Sequence, residues 1–149
     1  MAFLLIFGEL PSGEQLGEFS GHVMDQTAVH ADTVKLMRSF RYDAHPMGML
    51  IAALASYATI HPEANPTANE ALHREPAFRN SQLYRLLGVV PTLAAMAYRL
   101  RVGREFNTPK QGLKYTENFL YMLDRLNQTD YRPHPKLVRA LEVLFIIHA

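Results

Sequence analysis

From Met47 to Ala58 the chain carries no charged residue, and Pro46 stands immediately before that stretch. A proline in the first turn of a helix loses no hydrogen bond, and its fixed φ already suits the helix. Asp43, just upstream, is placed to cap an exposed N–H or to favour the positive helix end. Gly48, Ala52, Ala53, Ala55, Ser56 and Ala58 are small enough for another backbone to approach closely, while Met47, Met49, Leu50, Ile51, Leu54 and Tyr57 supply apolar surface. A helix without a polar face is covered on all sides. Two readings stay open: a plain core helix, or one that meets its own core on one face and something else on the other.

A second charge-free run spans Leu86 to Ala97, inside a helical pattern from Phe78 that includes Leu83, Leu86, Leu87, Val90, Leu93, Ala94, Ala97 and Leu100. Pro76 allows a fresh helix start. Pro91 lies within the run, and a kink is expected there rather than a stop. Gly103 is a good terminator.

The rest of the chain also reads as helix. Ala2–Phe7 is apolar from the second residue and is broken by Gly8, so it reads as the end of a helix. Ser12 is an N-cap for a helix to Ser20 with Leu16 and Phe19 inward, and Asp32 is the cap for the next. Pro62 to Glu70 is a polar loop with a turn at Asn65-Pro66. Leu113–Leu126 is an aromatic-rich helix, and Pro135 starts a last one that places Leu137, Val138, Leu141, Leu144, Phe145 and His148 on one face. No period-two strand is visible. The fold class is all-α, a helical bundle with one long kinked helix. Both ends look cut, because the last apolar run stops without a glycine or a cap, leaving open carbonyls beside apolar surface.

With 149 residues, 48% of them hydrophobic, the chain is one domain or part of one, with enough apolar content for a core. A net charge of +1 gives no electrostatic case for nucleic acid or an anionic membrane. No apolar run reaches membrane-spanning length. No signal or transit pattern is visible in these residues, which leaves the compartment open. There is no cysteine, hence no disulfide framework and no thiolate chemistry.

The seven histidines are His22, His30, His45, His61, His73, His134 and His148. None pairs at i, i+4 on a helix, there is no His-Glu-x-x-His, and no metal site is expected. His45 reads either as a substrate contact or as a loop histidine tying its ring to backbone groups, and the second is favoured. Glycines are scattered turn residues with no phosphate-binding loop.

The stretch Phe40–Asn65 closely resembles citrate synthase of the type found in plants and many bacteria. The resemblance continues through Leu86-Leu87-Gly88-Val89-Val90-Pro91-Thr92, through Tyr115-Thr116-Glu117-Asn118-Phe119-Leu120-Tyr121-Met122-Leu123-Asp124, and into Leu144-Phe145-Ile146-Ile147-His148-Ala149. It implies a partial large helical domain over residues 1–149, from an acyltransferase that condenses acetyl-CoA with oxaloacetate in the tricarboxylic acid or glyoxylate cycle. In that family the last apolar helix runs into His-Ala-x-His-Glu, whose second histidine helps hold oxaloacetate. Here only the first is present, so His148 is the one substrate-binding candidate. No residue is assigned a catalytic role and no cofactor is expected, because the family's catalytic histidines and aspartate, its carboxylate-gripping arginines and its coenzyme A surface have no counterpart here. The chain alone is therefore expected to be non-catalytic.

The resemblance also implies that the helices aligned with Met47–Ile60 and with Phe78–Val102 pack against their copies in a second subunit. That matches the two charge-free runs and gives a homodimer seam of Leu50, Ala53, Leu54, Leu86, Leu93 and Ala97. Some bacterial members bind a regulatory nucleotide through an arginine and a lysine; Arg85 matches the first, but Val89 occupies the lysine position. Alternatives are a short non-catalytic homologue acting as an assembly subunit, and a segment of 2-methylcitrate synthase. Members of the family occur in mitochondria, peroxisomes and cytoplasm.

Overall fold

The computed structural model describes residues 1–65, 67 and 70–149, and among them every regular element is helical. The helices are α1 (Ala2–Phe7), α2 (Gly13–Met24), α3 (Ala31–Ser39), α4 (Pro46–Ile60), α5 (Glu70–His73), α6 (Pro76–Arg101), α7 (Tyr115–Asp124) and α8 (Pro135–Ile147), with a 3-10 turn at Pro62–Ala64. The turn expected at Asn65-Pro66 lies partly outside the described residues.

Capping sets most of these boundaries. Gly8 takes φ +80° and closes α1 by donating its N–H to the Leu4 carbonyl, a left-handed conformation that glycine adopts without a Cβ penalty. Ser12 caps α2 in a reciprocal box: its Oγ accepts from the Gln15 N–H at 3.2 Å, and Gln15 Oε1 accepts from the Ser12 N–H at 2.8 Å. α2 runs to Met24, past the expected end at Ser20, and Leu16 lies exposed rather than inward. The expected aspartate caps are not the ones used. His30 caps α3 and His45 caps α4, each ring accepting a backbone N–H. Asp32 lies within the first turn with its carboxylate on Lys35, and Asp43 is held by the Arg41 guanidinium.

The helix α6 is the axis of the fold. It passes through Pro91 without a break, and α2, α3, α4, α5 and α7 all pack on it. Most of its charge-free middle is sealed: Val89, Leu93, Met96 and Ala97 join Met37 of α3 with Met49 and Ala53 of α4 in the main core. Three of those seven are methionines, whose unbranched side chains adapt to irregular gaps between packed helices. On the other side of α6, Ala95 meets Leu113, Tyr121 and Met122. α7 in turn carries α8, with Tyr115 and Phe119 near the Phe145 ring.

α8 contributes no buried residue. Leu137, Leu144, Phe145, Ile146 and Ile147 are exposed, the last at 69% of its accessible area. Of the face expected to carry the apolar residues, Val138 and Leu141 are half-buried and the rest lies exposed in this chain.

Candidate functional site

A cleft of about 750 Å³ opens between the α2–α3 connection, α6 and the loop that leads into α7. Met24, Val34, Met96 and Phe106 form its apolar wall, with Arg38 and Lys110 at the rim. Several of its polar groups hold those segments together. The Thr92 hydroxyl donates to the Thr27 carbonyl at 2.7 Å. Asn118 accepts from the Lys110 N–H at 3.0 Å and donates back to its carbonyl at 3.1 Å. The Asn107 amide donates to the carbonyls of Met122 and Arg125. Arg38 pairs with Glu105 at 2.9 Å and lies over the Phe106 ring. An acid–base reaction needs a donor and an acceptor free to meet a substrate, and Thr92, Asn107, Asn118 and Arg38 are each engaged with a neighbour. Among the described residues no group of three His, Asp or Glu side chains is arranged for a metal.

The sequence-derived candidates fall in three places. His148 is the C-cap of α8, exposed, with its own N–H given to the Leu144 carbonyl. His45 is the loop histidine of the favoured reading: its Nδ1 accepts from the Met47 N–H at 3.2 Å. The six seam residues divide. Ala53, Leu93 and Ala97 are sealed in this chain's own core and have no area left for a second subunit. Leu50 and Leu54 are half-buried against that core, and only Leu86 is open, at 50%. The helical repeat explains the difference. Positions 49 and 53 share the inward face of α4, whereas Met47, Gly48, Ile51, Ala55, Ala58 and Thr59 share an outward face that is uncharged and exposed.

Val89, at the position aligned with a nucleotide-binding lysine, is wholly buried. Arg85 is tied internally: it pairs with Glu63 at 2.7 Å and donates to Gln82 at 3.0 Å. A backbone hydrogen bond and the Arg85 guanidinium hold the Glu63 carboxyl below the usual carboxylate range.

Sequence reasoning passed over Arg99. At 4% exposure it is a charged residue inside the bundle. Its Nε donates to the Glu105 carbonyl, and its Nη1 to the carbonyls of Leu123 and Arg125 at 2.8 and 3.0 Å. Burial draws its pKa down, with Arg104 and Arg125 adding to the effect. The signal available was an arginine two residues after a charge-free run, which alone does not separate a buried clamp from a solvated helix end.

Comparison with known proteins fits the whole architecture. A family model described as "Citrate synthase, C-terminal domain" matches residues 1–149. The chain is 52% identical over 150 aligned positions to a citrate synthase of Dictyostelium discoideum, covering all of this chain and 29% of that protein. It is 53% identical to a peroxisomal citrate synthase of the same organism, covering 30% of it. It is 41% identical to a glyoxysomal citrate synthase of Cucurbita maxima, covering 29% of it. Among solved structures, citrate synthase from Pyrobaculum aerophilum superposes with a TM-score of 0.83 at 28% identity, over 99% of this chain and 36% of that one. The chain thus spans about 30% of the length of the curated relatives it matches. On the agreement of the family model, these relatives and the fold, the chain belongs to the citrate synthase family.

Proposed function

We propose that this chain is a helical scaffold segment of an enzyme that condenses acetyl-CoA with oxaloacetate, releasing citrate and coenzyme A, and that it does not catalyse the condensation by itself. The observation that carries this reading is the match of the whole chain to citrate synthases of which it spans less than a third. The site chemistry agrees. Citrate formation needs a base for the acetyl methyl, a donor for the enolate oxygen and a cationic clamp for a dicarboxylate. The buried guanidinium of Arg99 is consumed by backbone carbonyls, Arg85 by Glu63, and His45 by its own helix.

Release of the coenzyme A thiol from acetyl-CoA and oxaloacetate, followed with this chain alone, tests the proposal. The rate should equal the uncatalysed one. Turnover by the chain would overturn the scaffold reading, and turnover with propionyl-CoA alone would assign it to 2-methylcitrate synthesis.

A second reading is favoured by the exposed outward face of α4. The chain serves as an assembly subunit, meeting a second copy through Met47, Ile51, Ala55 and Ala58. This moves the proposed seam off Ala53, Leu93 and Ala97 and onto side chains with area to bury.

A further inference from the structure

Three helices begin on the same unusual device. Nδ1 of His30 accepts the Asp32 N–H, Nδ1 of His45 accepts the Met47 N–H, and Nδ1 of His134 accepts the Lys136 N–H, each at 3.2 Å. Every one of these rings is an N-cap in extended conformation, bonded to the second residue of the helix it opens. Two are followed by proline at the first helical position, Pro46 and Pro135. Serine, threonine and asparagine, the usual caps, present oxygens that do not titrate near neutrality. Imidazole does.

The hydrogen-bond donor in each case is a backbone amide, which has no lone pair to offer. The bond therefore exists only while Nδ1 is bare and the ring is neutral with its proton on Nε2. Protonation sets N–H against N–H and adds positive charge at the positive end of a helix. We propose that His30, His45 and His134 make the starts of α3, α4 and α8 acid-sensitive together: the caps close above the titration range of imidazole and open below it.

The ionic surroundings differ among the three. His30 has the Asp32 carboxylate 3.4 Å from Nδ1, and Lys35 holds the same carboxylate at 2.8 Å. Upstream of His45, Asp43 is engaged with Arg41 on its own loop. Lys136 sits two residues after His134, with Asp130 and Arg132 before it. Among the described residues no charged side chain of another helix forms an ion pair with any of these rings within 4.0 Å. His45 and His134 therefore have no carboxylate partner to compensate protonation, whereas Asp32 offsets it partly at His30. α4 and α8 also carry exposed apolar side chains.

α2 supplies an internal control, because its cap is the Ser12 hydroxyl on the Gln15 N–H. The test is amide exchange and ring 15N chemical shifts on the labelled full chain, from about pH 8 to about pH 5, across the ~6.5 of free imidazole. The Nδ1 atoms of His30, His45 and His134 should read as unprotonated acceptors at the upper end. On acidification the protection of the Asp32, Met47 and Lys136 amides, corrected for intrinsic exchange, should fall about fivefold per cap while Gln15 is unchanged. Asn replaces the ring with an acceptor that does not titrate, so H45N and H134N should hold their protection through the same range. A proton on Nδ1 at high pH, an unchanged Met47 and Lys136, or Asn variants that fall as the wild type does would each overturn the inference. The ring shifts and the Gln15 comparison decide it without any variant.

Discussion

A Cβ placed on Gly88 would stand 2.5 Å from the carbonyl oxygen of Val23 and 2.8 Å from the backbone carbon of Gln26. Real Cβ atoms do not approach so closely, and the obstacle is backbone, which cannot swing aside. Glycine is therefore what lets α6 lie against the end of α2. Gly88→Ala should destabilise the fold by ~1–3 kcal/mol even though alanine is the better helix former. Gly17, in the middle of α2, has nothing within 4 Å of such a Cβ. The same substitution there should stabilise by ~0.5–1 kcal/mol. Urea unfolding of the two variants checks the opposite signs.

Arg99 joins α6 to the loop after it and to the end of α7, through the carbonyls of Glu105, Leu123 and Arg125. Arg99→Leu would take the guanidinium donor from the Glu105 and Leu123 carbonyls, leave the Arg125 carbonyl with Asn107 alone, and should cost ~3 kcal/mol. Arg99→Lys keeps the charge but loses the planar fork, so it should fall between the two. A lowered urea midpoint with an unchanged slope is the expected result.

The Tyr115 hydroxyl donates to the Leu87 carbonyl at 3.0 Å, and burial pushes its pKa up to about 12 from 10.0. A phenol whose folded value lies above its unfolded one stabilises fully below pH ~10, and that stability is lost as pH rises through about 12. The loss should reach roughly 2–3 kcal/mol. Tyr115→Phe should remove this alkaline step and leave the acid side unchanged. Unfolding followed between about pH 9 and about pH 12, with phenolate absorbance in parallel, measures it.

Much of the fold was legible because it rests on local chemistry. Pro46, Pro76 and Pro135 stand where first-turn prolines belong, Ser12 is the cap of α2, and Gly8 ends α1 with positive φ. The caps of α3 and α4 were misplaced for a physical reason: Asp32 and Asp43 are good acceptors, but each is claimed by a nearby cation, and the neighbouring imidazole takes the amide instead. The seam was less legible. Absence of charge marks a helix as covered without telling which face meets its own core, and in α4 the register of Met49 and Ala53 decides that only once α6 is in place. Substituting Ala53 or Ala97 by lysine should therefore unfold the chain rather than separate copies of it. Arg99 was invisible, because its three acceptors lie as many as 26 residues away in sequence.

The account turns on whether the outward face of α4 is an assembly surface. Sedimentation velocity of the wild-type chain and of Ile51→Lys at micromolar concentration tests this most directly, since Ile51 is 63% exposed and a lysine there leaves the core intact. The wild type should sediment as a dimer or larger, and Ile51→Lys should shift toward monomer with its helical circular dichroism unchanged. A wild type that sediments as a single monomeric species, or an Ile51→Lys variant as associated as its parent, would contradict it.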